Sequence, residues 1–185
     1  MKFKGIRLEF VAVALVISLV AFFGVNYYME NYRTETLLNE DLSSFTEVEK
    51  IEITNLDKKK EISISLNQVD NLQKLYQKIN SLLSSSLGSG NYIIKLENSD
   101  NKKLMTAYQK IHLSVYESII TGRFTDLGTK LNELEDRLEL ESAEVSVDEN
   151  NIYLKLSDSE DEFYKVIKRS YPAEEVALQG GEGNG

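Results

Sequence analysis

The feature that most constrains this chain is an apolar, uncharged stretch near its start. Residues 10–25 form 16 consecutive positions without Asp, Glu, Lys or Arg. A helix needs roughly 20 mostly apolar residues to cross the hydrocarbon core of a bilayer, and continuing the run through Met29 reaches that length. Soluble helices normally keep one polar face, and this run has none. The sequence therefore predicts a transmembrane helix over residues 10–29 and a helical linker over residues 30–46.

The charges that flank this segment predict its orientation. Lys2, Lys4 and Arg7 precede it, whereas the flank that follows is mainly acidic. By the positive-inside rule, residues 1–9 stay in the cytoplasm and the rest lies outside a plasma membrane that the chain crosses once. The residues Phe22-Phe23-Gly24 make a poor cleavage site, which favours an uncleaved anchor over a signal peptide. The predicted anchor side chains are Phe10, Val11, Leu15, Ile17, Leu19, Phe22, Phe23, Tyr27 and Tyr28.

The first 30 residues also resemble the start of a type IV prepilin. A short basic leader ends at Gly5, a carboxylate follows at Glu9, and the apolar run comes next. That family has Gly, then usually Phe, with Glu at the fifth mature position, whereas here Ile6 follows Gly5 and Glu9 is fourth. The resemblance implies cleavage after Gly5 and a filament subunit whose helix continues unbroken past Tyr32.

The part of the chain beyond the membrane segment is acidic and free of cysteine. The net charge is −9, and residues 1–29 hold three cations and one carboxylate, so the remainder carries −11. Nucleic-acid binding demands Lys/Arg patches and is therefore not expected. Without Cys there are no disulfides and no thiol chemistry. The lack of an Asn-X-Ser/Thr sequon favours a prokaryotic or an unglycosylated surface.

Periodicity predicts one α+β domain over residues 47–172. Apolar residues at every second position indicate strands, and those at every third or fourth position indicate helices. The predicted order is ββα, β, αα, ββα, with ββα-like blocks at about 48–84 and 144–169 around a central helical pair. This pattern is similar to the small exported βαβ-type domains of Gram-positive envelope and sporulation proteins, a likeness of fold alone. Residues 173–185 are predicted to be a disordered, Gly-rich tail.

Capping residues predict where several helices begin and end. Asn67 is predicted to cap the helix of the first block, and Gly122 to end the first helix of the central pair. Ser159 and Glu162 have the spacing of a capping box, which predicts a last helix. The apolar stripe of that helix is predicted to comprise Phe163, Val166 and Ile167.

Catalytic signals are few. His112 is the only histidine, and no Gly-X-Ser-X-Gly elbow is present, so a hydrolase triad has no visible parts. Residues 158–162 offer oxygen ligands for a hard cation but lack the spacing of an EF-hand, and negative charge at a helix start explains them better. The chain is therefore predicted to be non-catalytic, without cofactor or metal.

Heptad spacing marks one group of leucines in the second central helix. About two heptads are too short for a stable free coiled coil, so packing on the sheet is the preferred interpretation and self-association the alternative. The possible association seam comprises Leu127, Leu131, Leu134 and Leu138.

Three functions stay open at this level. The preferred hypothesis is a membrane-anchored interaction or scaffold protein of the cell envelope, with the bilayer and another envelope protein or a second copy as partners. The first alternative is the pilin-like filament subunit processed after Gly5. The second is an envelope ligand sensor or enzyme, with a pocket lined by inward carboxylates or by Tyr76, Tyr92, Tyr108 and Tyr153.

Overall fold

The computed structural model of the protein describes residues 8–57, 59–159 and 161–169, without the side chains at 8–10, 12 and 26–34. The elements are α1 (Leu8–Ser43), β1 (Val48–Leu56), β2 (Lys59–Leu66), α2 (Leu72–Leu87), β3 (Tyr92–Glu97), α3 (Lys102–Thr121), α4 (Phe124–Leu138), β4 (Ser142–Val147), β5 (Asn151–Asp158) and β6 (Asp161–Lys168). The predictions for the basic leader before residue 8, for Pro172 and for the tail 173–185 lie outside the described residues.

The domain is α+β, as predicted, and its strands form two three-stranded sheets. Sheet A has the order β1-β2-β3, in which β1 and β2 are antiparallel and β2 and β3 are parallel. Sheet B is an antiparallel meander with the order β4-β5-β6. Helix α2 forms the crossover between the parallel strands of sheet A, and α3 and α4 connect the two sheets as the predicted central pair.

The first predicted block is confirmed, although its helix starts later than the sequence predicts. The cap of α2 is Asn71, whose side chain accepts a hydrogen bond from Lys74 N at 2.8 Å. Asn67 and Val69 lie in the loop before the helix. Val69 is apolar and buried, so its spacing extends the helical pattern by one turn although its backbone is not helical.

The helix predicted after Ser159 is wrong, because residues 161–168 form strand β6. Ser159 has a φ of 58° and lies in the turn between β5 and β6, and Glu162 pairs with Ser157 in the ladder. Sheet B is covered on both sides: Phe163 packs among residues of α3 and α4, whereas Tyr164 packs in the core shared with α2 and sheet A. In a strand that is buried on both faces, polar and apolar residues do not alternate. Adjacent apolar residues in such a strand can then have the same spacing as the apolar stripe of a helix.

Helix α1 is continuous over Leu8–Ser43, so the predicted transmembrane segment and the predicted linker form one helix of 36 residues. Its last turns belong to the folded domain, because Leu38 and Leu42 are fully buried in the core of α2 and sheet A. The side chain of Glu35 binds Lys60 Nζ at 2.7 Å and Asn55 Nδ2 at 3.2 Å, both near the tip of the β1–β2 hairpin. The last turns of α1 are therefore part of the folded domain.

Two apolar cores lie on opposite faces of sheet B. One core joins α3 and α4 to the sheet through Ile152, Leu154 and Leu156 of β5. The other joins sheet A, α2 and the end of α1, and it receives Tyr153 and Tyr164 from sheet B. One face of α3 is therefore fully used in packing, and the opposite face is directed away from both cores.

Candidate interaction surface

The outer face of α3 carries a stripe of large, exposed apolar side chains. Their exposed fractions are 45% for Met105, 71% for Leu113, 38% for Tyr116 and 86% for Ile120. At 100° per residue these four positions lie within an arc of about 80° on the helix. The opposite face is buried in the core through Leu104, Ala107, Ile111 and Val115. We call the four exposed residues the α3 stripe.

The α3 stripe is unusual for the domain. Beyond residue 25, the other large apolar side chains that are exposed in the described part of the chain are Leu37, Leu56 and Ile93, and each lies on a different element. Single exposed apolar residues are normal at a protein surface, whereas a contiguous group marks an interaction site. The sequence pattern did not reveal the stripe, because apolar residues on both faces of α3 blur its periodicity.

The structure places the heptad leucines of α4 in the core. Leu127, Leu131 and Leu134 are each 1% exposed, and Leu138 is partly buried against the same core. They pack on sheet B and α3, which is the arrangement that the short heptad favours. A second chain cannot reach these side chains while the domain is folded, so the exposed apolar surface of the helical pair lies on α3.

Seven of the nine predicted anchor residues lie on the N-terminal half of α1, and Tyr27 and Tyr28 follow just beyond its midpoint. Val11, Leu15, Ile17, Leu19, Phe22 and Phe23 are between 45% and 67% exposed, and the rings of Phe22 and Phe23 stack edge to face at 5.9 Å. The side chains of Phe10, Tyr27 and Tyr28 lie outside the described residues. Within the part of the chain that the structure describes, no helix has both the length and the apolar character that crossing a bilayer requires.

A cleft of about 670 Å³ lies where the edge of sheet A meets the edge of sheet B. Its lining is polar and includes Glu49, Asn67, Asn98, Asp161 and Glu162. The side chain of Asn98 binds the backbone of Tyr164 by two hydrogen bonds, and Asp161 accepts one from Asn101 Nδ2 at 2.9 Å. Asn98 thus holds the two sheets together, and Asp161 joins the start of α3 to β6.

An almost buried ion pair fastens the loop before α2 to sheet B. The side chains of Lys155 and Glu162 are 14% and 11% exposed, with 3.1 Å between Nζ and Oε1. Lys155 Nζ also donates to the carbonyl of Val69 at 2.8 Å, and Val69 N donates to Glu162 Oε2 at 3.1 Å. The Tyr164 hydroxyl donates to the carbonyl of Asn67 at 2.8 Å. The two charged groups bind each other, and each also forms a hydrogen bond with the backbone of Val69. A buried ion pair needs such additional hydrogen bonds to offset the cost of removing both charges from water.

Asp148 is the centre of a second polar cluster, at the turn between β4 and β5. Its carboxylate accepts hydrogen bonds from the Tyr153 hydroxyl at 2.7 Å and from Gln77 Nε2 at 2.9 Å. The backbone N–H groups of Asn150 and Asn151 each donate to it at 2.8 Å. Burial by itself raises the pKa of Asp148, but these four hydrogen bonds together outweigh burial and lower the pKa to about 2. Asp148 is thus held as a carboxylate that links α2 to sheet B.

Three of the four tyrosines predicted to line a pocket lie near this cluster. The rings of Tyr76 and Tyr153 meet edge to face at 5.7 Å, and burial raises the pKa of each hydroxyl to about 12. Tyr76 and Tyr92 line an open depression of about 410 Å³. Tyr108 lies in the other core, 5.1 Å from the ring of Phe163. With such high pKa values, Tyr76 and Tyr153 are neutral at physiological pH and act as packing and hydrogen-bonding groups.

The remaining candidates for chemistry are engaged in structural contacts. Nδ1 of His112 lies 2.7 Å from the carbonyl of Gln109, one turn earlier in α3. In the acidic run 158–162, Asp158 pairs with Lys103 at 2.6 Å and Glu162 with Lys155. Among the described residues, no group of three His, Asp or Glu side chains is placed to hold a metal ion.

The domain therefore belongs to the class of α+β domains with two small sheets, an exposed apolar stripe on α3 and an open polar cleft between the sheets. Comparison with known proteins adds no assignment: no known protein family matches the chain, and no curated protein is significantly similar to it.

Proposed function

We propose that this chain is a single-pass, membrane-anchored protein of the cell envelope whose domain lies outside the cytoplasm and binds another protein. One observation carries the proposal, namely the distribution of the exposed large apolar side chains. Apart from the single residues Leu37, Leu56 and Ile93, they form two groups, one on the N-terminal half of α1 and one on the outer face of α3. Exposed apolar surface in contiguous groups is removed from water by lipid or by a partner protein.

The group on α1 supports the membrane anchor. The exposed side chains include the consecutive positions Leu15, Val16 and Ile17, which point to different sides of a helix. A helix that is apolar on all sides is stable when its whole surface is covered, as in a bilayer. The uncharged run of 16 residues and the basic residues before it support an N-terminus in the cytoplasm.

The group on α3 supports the binding of a protein. The stripe includes Met105 and Tyr116, and both residue types are enriched at protein interfaces. The last turns of α1 pack against sheet A, so the helix enters the domain without an intervening loop. A stripe on a domain that directly follows its anchor helix suits an interaction between proteins of the same membrane.

Thiol labelling of intact protoplasts tests the anchor and its orientation. The chain has no Cys, so one introduced Cys is a clean probe. We expect a membrane-impermeant maleimide to label Lys78→Cys, at an exposed position of α2, and not Lys2→Cys until the cells are lysed. As a control for membrane insertion, Ile17→Asp combined with Leu19→Asp is expected to release the chain from carbonate-washed membranes. Labelling of Lys2→Cys with protection of Lys78→Cys in intact cells contradicts the proposed orientation.

The pilin-like filament subunit is a second candidate, and one observation favours it. Helix α1 continues without a break well past Tyr32 and ends packed in the domain, as that alternative predicts. N-terminal sequencing of the mature protein separates the two candidates. A start at Ile6 supports processing after Gly5, whereas a start at Met1 or Lys2 excludes it.

A further inference from the structure

We infer that the partner of the α3 stripe is a second copy of this chain, bound with the two α3 helices antiparallel across a two-fold axis near Leu113. The inference rests on the proposed function, since it names the partner of the same surface. It follows from the arrangement of apolar and charged residues along α3.

Three of the four apolar side chains of the α3 stripe are arranged symmetrically about the middle of the helix. Leu113 is close to the midpoint between Met105 and Ile120, which are 15 positions and about 22 Å apart along the axis. In an antiparallel pair centred there, Met105 faces Ile120 of the other copy, and Gln109 faces Tyr116. An isologous contact requires such self-complementarity, because residue i meets residue j and residue j meets residue i.

The charges beside the stripe are complementary in the same register. At 100° per residue, Lys110 and Glu117 lie within about 20° of each other on one flank of α3, at nearly equal distances from the proposed axis. The two-fold rotation brings each flank against the same flank of the other copy, so Lys110 lies opposite Glu117. Among the described residues Lys110 has no ion-pair partner, whereas Glu117 is held on this flank by Lys130 at 3.0 Å. Two such pairs form in each dimer.

The membrane makes a small interface sufficient. A stripe of four residues buries less surface than a stable dimer in solution usually needs. Two copies anchored in one bilayer have a high effective concentration, which strengthens a weak contact without new interactions. The expected assembly is therefore a dimer of the full-length chain in its membrane.

Site-specific photocrosslinking of the full-length chain in membranes identifies the occupant. Leu113→Cys, labelled with benzophenone maleimide and irradiated, is expected to give an adduct of twice the mass of the chain. Lys78→Cys on α2 is the matched control and is expected to give none. An adduct of the labelled Leu113→Cys variant with a different protein overturns the second-copy inference and leaves the proposed function standing. The absence of any adduct with the Leu113→Cys variant overturns both.

A charge swap tests the antiparallel register separately from any pairing of the membrane helices. Lys110→Glu alone and Glu117→Lys alone place like charges opposite each other and are expected to weaken their homodimers. Mixing the two variants restores opposite charges at both positions, so the mixed dimer is expected to exceed either homodimer on the order of fivefold. Equal dimer yields in all three samples, measured with differently tagged chains in mild detergent, overturn the proposed register.

Discussion

The side chain of Asn98 binds the backbone of Tyr164 twice, through Nδ2 to the carbonyl at 3.1 Å and through Oδ1 from the N–H at 2.6 Å. Tyr164 lies in β6, at the edge of sheet B, and Asn98 directly follows β3 of sheet A. One amide therefore substitutes for a neighbouring strand and satisfies both backbone groups of an edge residue. The contact holds the two sheets in register with each other.

Replacing Asn98 tests this contact. Asn98→Ala leaves the N–H and the carbonyl of Tyr164 without their partners, and we expect a loss of about 2 kcal/mol in the free energy of unfolding. Ser99→Ala, at the adjacent exposed position, is the control and is expected to change stability by less than about 0.5 kcal/mol. Urea denaturation of the full chain in neutral detergent, followed by circular dichroism, measures both. Equal stability of the two variants contradicts the role of Asn98.

The Lys155–Glu162 pair predicts strong coupling between two substitutions. Lys155→Met leaves Glu162 almost buried without its counterion, and we expect a loss of about 3 kcal/mol. Glu162→Gln is expected to cost a similar amount, because the ammonium group then lacks a charge partner. The double variant is expected to cost clearly less than the sum of the two losses, in a double-mutant cycle by denaturant unfolding. Additive losses are incompatible with an ion pair acting as one unit.

The lowered pKa of Asp148 predicts that the free energy of unfolding depends on pH. Its folded-state pKa of about 2 lies below the ordinary value of 3.8, so its contribution is fully present above about pH 4 and is lost as the pH falls through about 2. With solvent screening allowed for, we expect Asp148→Asn to be about 1 kcal/mol less stable than the native chain at pH 6. The difference is expected to shrink as the pH falls from about 4 and to vanish only below about pH 2. Glu149→Gln, in the same turn, is the control, and a gap for Asp148→Asn that is independent of pH refutes the assignment.

Replacing leucine by alanine is expected to change the stability of the domain in one central helix and to leave it nearly unchanged in the other. Leu131→Ala removes a side chain that is 1% exposed in the core of α4 and sheet B, and we expect a loss of about 3 kcal/mol. Leu113→Ala removes a side chain that is 71% exposed, and we expect a change within about 0.5 kcal/mol in dilute detergent. Thermal unfolding of both variants compares them directly. Similar losses at the two positions contradict the assignment of Leu131 to the core and Leu113 to the surface.

The sequence analysis predicted the elements that have one buried face. The alternation around Ile62 and Ile64 identified β2, because one side of sheet A faces the core and the other faces water. Gly122, with a φ of 72°, ends α3 as predicted, since this left-handed conformation suits glycine. The sequence-based prediction failed for β6, where Phe163 and Tyr164 are buried on opposite faces of the strand. Such a pattern is shared by helices and by fully covered strands.

The functional surface was less predictable than the fold. The heptad of α4 is a clear sequence signal, and Leu127 and Leu131 lie in the core rather than on the surface that the self-association alternative requires. The α3 stripe has no distinct signal, because Leu113 and Ile120 lie among apolar residues that face inward. Which apolar face of a helix stays exposed depends on where the sheets lie, and local spacing does not contain that information.

By itself, the sequence determined the α+β class, the long uncharged run before the domain, and the turn and cap positions at which local backbone chemistry decides the outcome. The tertiary structure alone decided that sheet B is covered on both faces, that α1 ends inside the core, and that the free apolar face belongs to α3. The physical reason is that periodicity records whether a residue is apolar, whereas burial depends on contacts between residues far apart in the chain, such as Asn98 with Tyr164.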